Sequence, residues 1–255
     1  MEKIASFEEF KLFFDRETLK LETTESKAKA YPPNFKDLYV LYTRVRASKS
    51  FAVLEFGSGW STLAFAFALK ENKAEYESSP KSEIRHPNLF EIMTIDCSEE
   101  FMNLALSRIP SGIGIPIKSV VTQAYMSEVE GRICSLYECF PPFTADFIYL
   151  DGPDCGPDQV SGNVNGFTLN FGDEEKLYGL PMAGDLLRVE SFLWPGTEIV
   201  TDGRGANANY LRDNFKRNWE YSYNSDVDQH LFYLDEPGWG IYSAALLKYK
   251  NRKPQ

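Results

Sequence analysis

A ten-residue stretch, Val53-Leu54-Glu55-Phe56-Gly57-Ser58-Gly59-Trp60-Ser61-Thr62, leaves this chain few ways to fold. The apolar run from Phe51 to Phe56 reads as a strand buried on both faces, as in a parallel sheet. Two glycines one residue apart let the backbone turn sharply and approach a ligand without side-chain obstruction. Ser61 or Thr62 then caps a helix predicted over Leu63 to Lys70, whose first amides point back at the loop. Strand, Gly-x-Gly turn and helix together form a cofactor cradle. The acid at the strand end, Glu55, suits a cationic group or hydroxyls rather than a pyrophosphate.

Periodicity extends this unit in both directions. Helices are predicted over Phe7–Leu19 and, after Pro32-Pro33, over Phe35–Ser48, where Leu38, Leu41, Tyr42 and Val45 recur at helical spacing. Glu71–Asn88 is charged and contains Ser and Pro, and it reads as an extended surface loop that leaves His86 solvated. Phe90–Ile95 is the second strand, ending at Asp96, and Ser98–Ile109 the next helix, with Phe101, Leu104 and Ala105 facing inward. Ile115–Thr122 is a third strand, and Tyr125–Phe140 a hairpin or extra strand. Ala145–Leu150 is a fourth strand, ending in Asp151-Gly152-Pro153. A helix over Asp185–Trp194, a fifth strand over Glu198–Thr201 ending at Asp202-Gly203, and a helix over Asn207–Trp219 follow. Strand-like runs at Glu220–Tyr223, Leu231–Leu234 and Ile241–Leu247 close the chain. The expected architecture is α/β: a doubly wound, mostly parallel, Rossmann-like sheet with an antiparallel C-terminal edge and N-terminal helices. It is read as a single domain over 1–255, with a helical extension over 1–34 and a long loop or lid over 154–184.

Composition narrows the function classes. A net charge of −10 and a pI near 4.9 argue against a nucleic-acid partner, which would need a basic face. Cys97, Cys134, Cys139 and Cys155 show no Cys-x-x-Cys spacing, so neither zinc nor a disulfide scaffold is expected. Met1–Lys20 mixes charges of both signs, unlike a signal peptide, and no apolar run is long enough to span a membrane. The chain is therefore expected to be cytoplasmic.

In open α/β sheets the ligand sits at the carboxyl ends of the strands. Four of the five predicted strands end on or near an acid: Glu55, Asp96, Asp151 and Asp202. Asp96, ending the second strand, is placed to accept from both hydroxyls of a ribose, with Cys97 and Ser98 beside the nucleoside. Of the two histidines, His230 near the start of a late strand is a candidate general base. No nucleophile elbow with a Ser-His-Asp order is visible.

Glu55-x-Gly57-x-Gly59-x-Ser61 resembles motif I of the class I S-adenosylmethionine (SAM)-dependent methyltransferases, in the variant with Ser at the last glycine. Asp146-Phe147-Ile148-Tyr149-Leu150-Asp151-Gly152 resembles the fourth-strand motif of the small-molecule O-methyltransferases. The resemblance covers roughly Phe35 to Trp219. It implies SAM as cofactor, held by Glu55, Gly57, Ser58, Gly59, Ser61, Asp96, Cys97 and Asp151, with the adenine near Gln123 and Ala124. It implies methyl transfer to a small-molecule acceptor at oxygen. Asp151, Asp202 and His230, in that order, are the candidates for removing a proton from the acceptor. In metal-dependent members an Asp-Asn pair ends the fifth strand. Here Gly203 replaces the Asn, which leaves a divalent cation on two carboxylates and water as an alternative and not as the expected arrangement. An NAD-linked oxidoreductase on the same sheet is the rival reading, against which Thr62 stands at the third glycine position of G-x-G-x-x-G. A non-catalytic descendant binding a nucleoside is a second rival.

Overall fold

A computed structural model describes residues 6–18, 32–78, 84–153, 160–168 and 182–250. Two helices, α1 (Phe7–Thr18) and α2 (Phe35–Ala47), precede β1 (Ala52–Phe56), α3 (Trp60–Ser78), β2 (Glu91–Asp96), α4 (Glu99–Ser107) and β3 (Ile117–Val121). A hairpin follows, β4 (Ala124–Val129) and β5 (Arg132–Tyr137), and then β6 (Phe147–Leu150). Three two-residue strands, β7 (Val160–Ser161), β8 (Asn163–Val164) and β9 (Phe167–Thr168), lie in the segment expected to be a long loop. The rest of 154–181, including Cys155, is outside the described residues. The chain continues with α5 (Asp185–Val189), a 3-10 turn (Glu190–Phe192), β10 (Glu198–Asp202), α6 (Gly205–Asn214), β11 (Trp219–Asn224), β12 (Gln229–Leu234) and α7 (Ile241–Tyr249).

Seven strands form the main sheet in the order β3-β2-β1-β6-β10-β12-β11. Neighbours from β3 to β10 are parallel, and β12 runs antiparallel to both β10 and β11. This is the expected doubly wound, Rossmann-like sheet with an antiparallel edge. The order reverses between β1 and β6, and a crevice opens there at the carboxyl ends of the strands. A second sheet, β5-β4-β7, stands beside the first and carries Tyr137 back to the crevice.

The central strands are apolar because both faces are covered. Phe51, Val53, Phe147, Tyr149 and Val200 share one core with α2, α3 and α7, and Leu54, Phe56, Ile148 and Ile199 share another with β4, β5 and α6. The buried rings of Phe10 and Phe14 join α1 to the first core, against Tyr39, Tyr42 and Trp60.

Several boundaries differ from the sequence reading, each for a visible reason. The helix after the glycine turn does not stop at Lys70 but runs to Ser78. Its polar half is pinned to the core: buried Asn72 donates to the carbonyls of Val45 (3.0 Å) and Ser50 (2.9 Å), and Tyr76 packs edge-on against Phe51. His86 is buried, not solvated, with its ring against Phe51 and Trp194, and burial pushes its pKa down. Met102 and Ala105 form the buried face of α4, while Phe101 and Leu104 border the crevice. The helix expected to reach Trp219 ends at Asn214. There the Glu190 carboxylate accepts from the N–H groups of Lys216 and Arg217 and from the Trp219 indole, drawing the chain into β11. Ile241–Leu247 is helix rather than strand, since Ser-Ala-Ala-Leu-Leu favours a helix and Gly240 lets the chain enter it. The following Lys250 forms an ion pair of 2.6 Å with Asp146, each side chain 1% exposed.

Candidate functional site

A cavity of 390 Å³ lies at the carboxyl ends of β1, β2, β6 and β10, within the size range of small-molecule sites. Its wall is built from the β1–α3 loop, the start of α2, one side of α4 and the turn after β6.

The loop after β1 is held from three sides. Gly57 has φ +90°, and a Cβ there would stand 3.0 Å from the backbone oxygen of Asp151. Glycine therefore lets the first loop pack directly on the turn after β6. A Cβ on Gly59 would meet only the Ser61 hydroxyl, at 3.8 Å, so its absence keeps the cradle open without being needed for packing.

Glu55 lies beneath the loop and outside the cavity lining, 0% exposed. Its two oxygens accept from the hydroxyls of Ser61 (2.5 Å) and Thr62 (2.6 Å). Burial pushes this carboxyl up to about 7, against the lowering pull of those two hydroxyls. The helix start is thus fastened by hydroxyls that donate down into the strand. Thr62 also accepts from the N–H of Gly59, at 3.2 Å.

Asp96 lies on the cavity wall and clasps the same loop from the β2 side. Its Oδ2 accepts from the N–H (2.7 Å) and hydroxyl (2.5 Å) of Ser58, and its Oδ1 from the N–H of Ser98 (2.8 Å). Ser98 in turn caps α4, accepting from the N–H of Phe101 at 3.2 Å. Opposite, the guanidinium of Arg108 sits 3.6 Å from the Trp60 ring centroid, and both residues line the cavity.

The other end of the cavity is acidic. Asp151 begins the turn after β6, and Arg204 fixes that turn by donating to the carbonyls of Asp151 (2.7 Å) and Pro153 (2.8 Å). Asp202 ends β10, and burial raises its carboxyl to about 6 although Arg204 pulls it down. Asp37, in the first turn of α2, is raised to about 7 by burial and by the charge of Asp202, while accepting from the Gln229 side-chain amide. Tyr149 reaches the same place from β6 and is 2% exposed. Its phenol is held well above its ordinary range by burial and by the charges of Asp151, Asp202, Asp37 and Glu55.

The cavity therefore brings together Gly57, Ser58, Gly59, Ser61, Asp96, Asp151 and Asp202. Five expected site residues lie outside its lining: Glu55, Cys97, Gln123, Ala124 and His230. Cys97 is buried, and its carbonyl accepts from the Gln123 side chain at 3.4 Å. Tyr221 and Tyr223 flank the His230 ring, and Nδ1 lies 2.8 Å from the Tyr221 hydroxyl. Burial lowers its pKa. Among the described residues, no three His, Cys, Asp or Glu side chains are grouped as metal ligands.

No family model and no curated protein matches this sequence. Among solved structures, similar chains include the O-methyltransferase TomG from Streptomyces achromogenes in complex with SAM. It is 12% identical over 91% of this chain and 100% of that one, with a TM-score of 0.42. The O-methyltransferase from Bacillus cereus in complex with SAH is 12% identical over 91% of each chain, with a TM-score of 0.39. The SAH-bound Podospora anserina methyltransferase PaMTH1 is 12% identical over 92% of this chain and 100% of that one, with a TM-score of 0.45. Likenesses this distant decide neither family nor reaction, so the functional reading rests on the residues around the cavity.

Asp37, Tyr137, Tyr149, Trp60 and Arg108 line the cavity without having been singled out from the sequence. Asp37 had a local signal, an acid in the first turn of a helix that follows Pro32-Pro33. Tyr149 stood inside the quoted fourth-strand motif, but its apolar neighbours made it look like core.

Proposed function

We propose that this chain transfers a methyl group from SAM to a small-molecule acceptor, at oxygen. The observation that carries this reading is the pairing of Asp96 with the open side of the Gly57–Ser61 loop on one cavity wall. A carboxylate ending β2 is placed for ribose hydroxyls, and the glycine loop leaves free space beside it. The residues present fit SAM on a physical test: a Cβ on Gly59 would meet only the Ser61 hydroxyl, at 3.8 Å, so the glycine leaves room in the cradle. Ser58, Gly59, Ser61 and Asp96 would hold the nucleoside side, with Trp60 and Arg108 as an apolar and cationic wall.

A dinucleotide reading is weaker on two observations. Thr62 occupies the third glycine position and is tied to Glu55. The sheet also departs from the parallel 3-2-1-4-5-6 order of dinucleotide folds, because an antiparallel strand follows the fifth parallel one.

When bound, SAM supplies a methyl carbon already activated by its sulfonium, so the chain's task is mainly alignment. Asp151, with its backbone fixed by Arg204 and by the contact of Gly57, stands between the two ends of the cavity. With SAM bound, its carboxylate would accept the proton lost by an acceptor hydroxyl, while the cofactor would supply the methyl group by cleavage of its S–C bond and leave as S-adenosylhomocysteine. Asp202 is the second candidate for that role. His230 is left out because it does not line the cavity. Tyr137, at the end of β5, and Pro153, after β6, complete the lining. The test is incubation with methyl-deuterated SAM and a broad panel of hydroxylated small molecules, read by mass spectrometry. A deuterated product together with S-adenosylhomocysteine (SAH) is the expected result. Labelled methyl groups in no product across the panel would oppose it.

A further inference from the structure

At the acidic end of the cavity, Asp37 and Tyr149 have no place in the steps above, and Asp202 enters them only as the second candidate base. Asp37 and Asp202 reach it from α2 and β10, and Tyr149 reaches it from β6. Among the described residues neither Asp37 nor Asp202 has an ion-pair partner. Arg204 acts on Asp202, but its guanidinium donates to the carbonyls of Asp151 and Pro153. The two carboxylates therefore share one end of the cavity, and the charge of Asp202 makes Asp37 harder to ionise.

Tyr149 supplies an independent sign of a ligand. It is 2% exposed, it lines the cavity, and its hydroxyl has no hydrogen-bond partner among the described residues. A hydroxyl that opens onto a cavity from an otherwise buried side chain, with no protein partner, is placed to meet a ligand. Two carboxylates and a phenol oxygen offer three acceptors at one place, which is the number of donors on a primary ammonium group. A cation between the carboxylates would also relieve their repulsion.

The position separates this end from the nucleoside side. Asp96 ends β2 and Asp202 ends β10, three strand spacings apart, or about 14 Å at about 4.8 Å per spacing. We propose that Asp37, Asp202 and Tyr149 form a subsite for a protonated primary amine, and that the methyl acceptor is a small hydroxylated molecule carrying that amine. The inference rests on the methyltransferase reading, and it adds the charge class of the acceptor.

The test uses three probes with the same phenol and different charge: tyramine, 4-ethylphenol and 4-hydroxyphenylacetate. Their binding to the full chain saturated with SAH is measured by calorimetry or ligand-observed NMR. Tyramine is expected to bind at least about tenfold more tightly than 4-ethylphenol, a factor worth about 1.4 kcal/mol, and 4-hydroxyphenylacetate more weakly than both. Asp37→Asn is expected to remove that preference while leaving SAH affinity within about threefold and the fold intact, with Tyr149→Phe giving a smaller loss in the same direction.

Failure to bind SAH would count against the methyltransferase reading itself. SAH binding without a preference for tyramine, or with no binding of tyramine, would overturn the amine subsite. An equal loss of SAH binding in Asp37→Asn would overturn it too, by assigning the carboxylates to the cofactor's own amino group. Magnesium binding abolished by Asp202→Asn, with no amine preference, would assign them to a metal.

Discussion

Replacing Asp96 with Ala removes the acceptor of three hydrogen bonds, from the N–H and hydroxyl of Ser58 and from the N–H of Ser98. Hydrogen bonds to a charged group contribute about 1.5–3 kcal/mol each when the donor is left without a substitute. Here the freed donors border a cavity, so water can replace most of the loss. A net cost of about 2–3 kcal/mol is therefore expected. For a chain of this size that corresponds to a fall in melting temperature of about 4–12 °C. SAH affinity should fall by about 10- to 100-fold, since each tenfold is about 1.4 kcal/mol. Differential scanning fluorimetry and calorimetry with SAH read the two effects separately. Asp96→Asn, which keeps an acceptor and the shape, should recover part of both. A melting temperature within about 1 °C of the parent would refute the idea that this carboxylate clasps the loop. Loss of stability with unchanged SAH affinity would make Asp96 a structural clasp alone.

Further expectations follow from the same geometry. Gly57→Ala should destabilise by about 2 kcal/mol or more, because the residue has φ +90° and its new Cβ would stand 3.0 Å from the Asp151 carbonyl. Gly59→Ala should melt close to the parent yet bind SAH more weakly, and the paired melting and calorimetry data check both. Glu55, Asp37 and Asp185 are each raised to about 7 in the fold, above ordinary carboxyl values of 4.5 and 3.8. The native state then holds more protons than the unfolded chain, so their contribution to stability is present below about pH 4 and is lost as pH rises towards about 7. Melting curves from pH 5 to 8 should show the decline, and Glu55→Gln should make it shallower. Lys250→Ala, which leaves the buried Asp146 with the N–H groups of Phe51 and Ala52 but without its counter-charge, should cost about 3 kcal/mol in chemical denaturation.

The parallel sheet was legible because fully buried strands leave nearly unbroken apolar runs, as in Phe51–Phe56 and Ala145–Leu150. The rim of the cavity was legible as well, since Glu55, Asp96, Asp151 and Asp202 all mark strand ends. What those acids do was less so. Position at a strand end does not reveal whether a side chain meets a ligand or turns beneath the loop, and Glu55 turns beneath it to hold Ser61 and Thr62. The second half of α3 was hidden because its contacts, Asn72 to Val45 and Tyr76 to Phe51, join residues far apart in the chain. Asp37 was hidden for the same reason: its neighbours Asp202 and Gln229 come from strands more than a hundred residues away.

The central claim is a SAM site on the wall formed by the Gly57–Ser61 loop and Asp96, and calorimetric titration with SAH tests it most directly. The account predicts saturable 1:1 binding to the parent chain, weakened in both Asp96→Ala and Gly59→Ala. No heat of binding with SAM or SAH at millimolar concentration, from a chain shown to be folded by its melting transition, would contradict it.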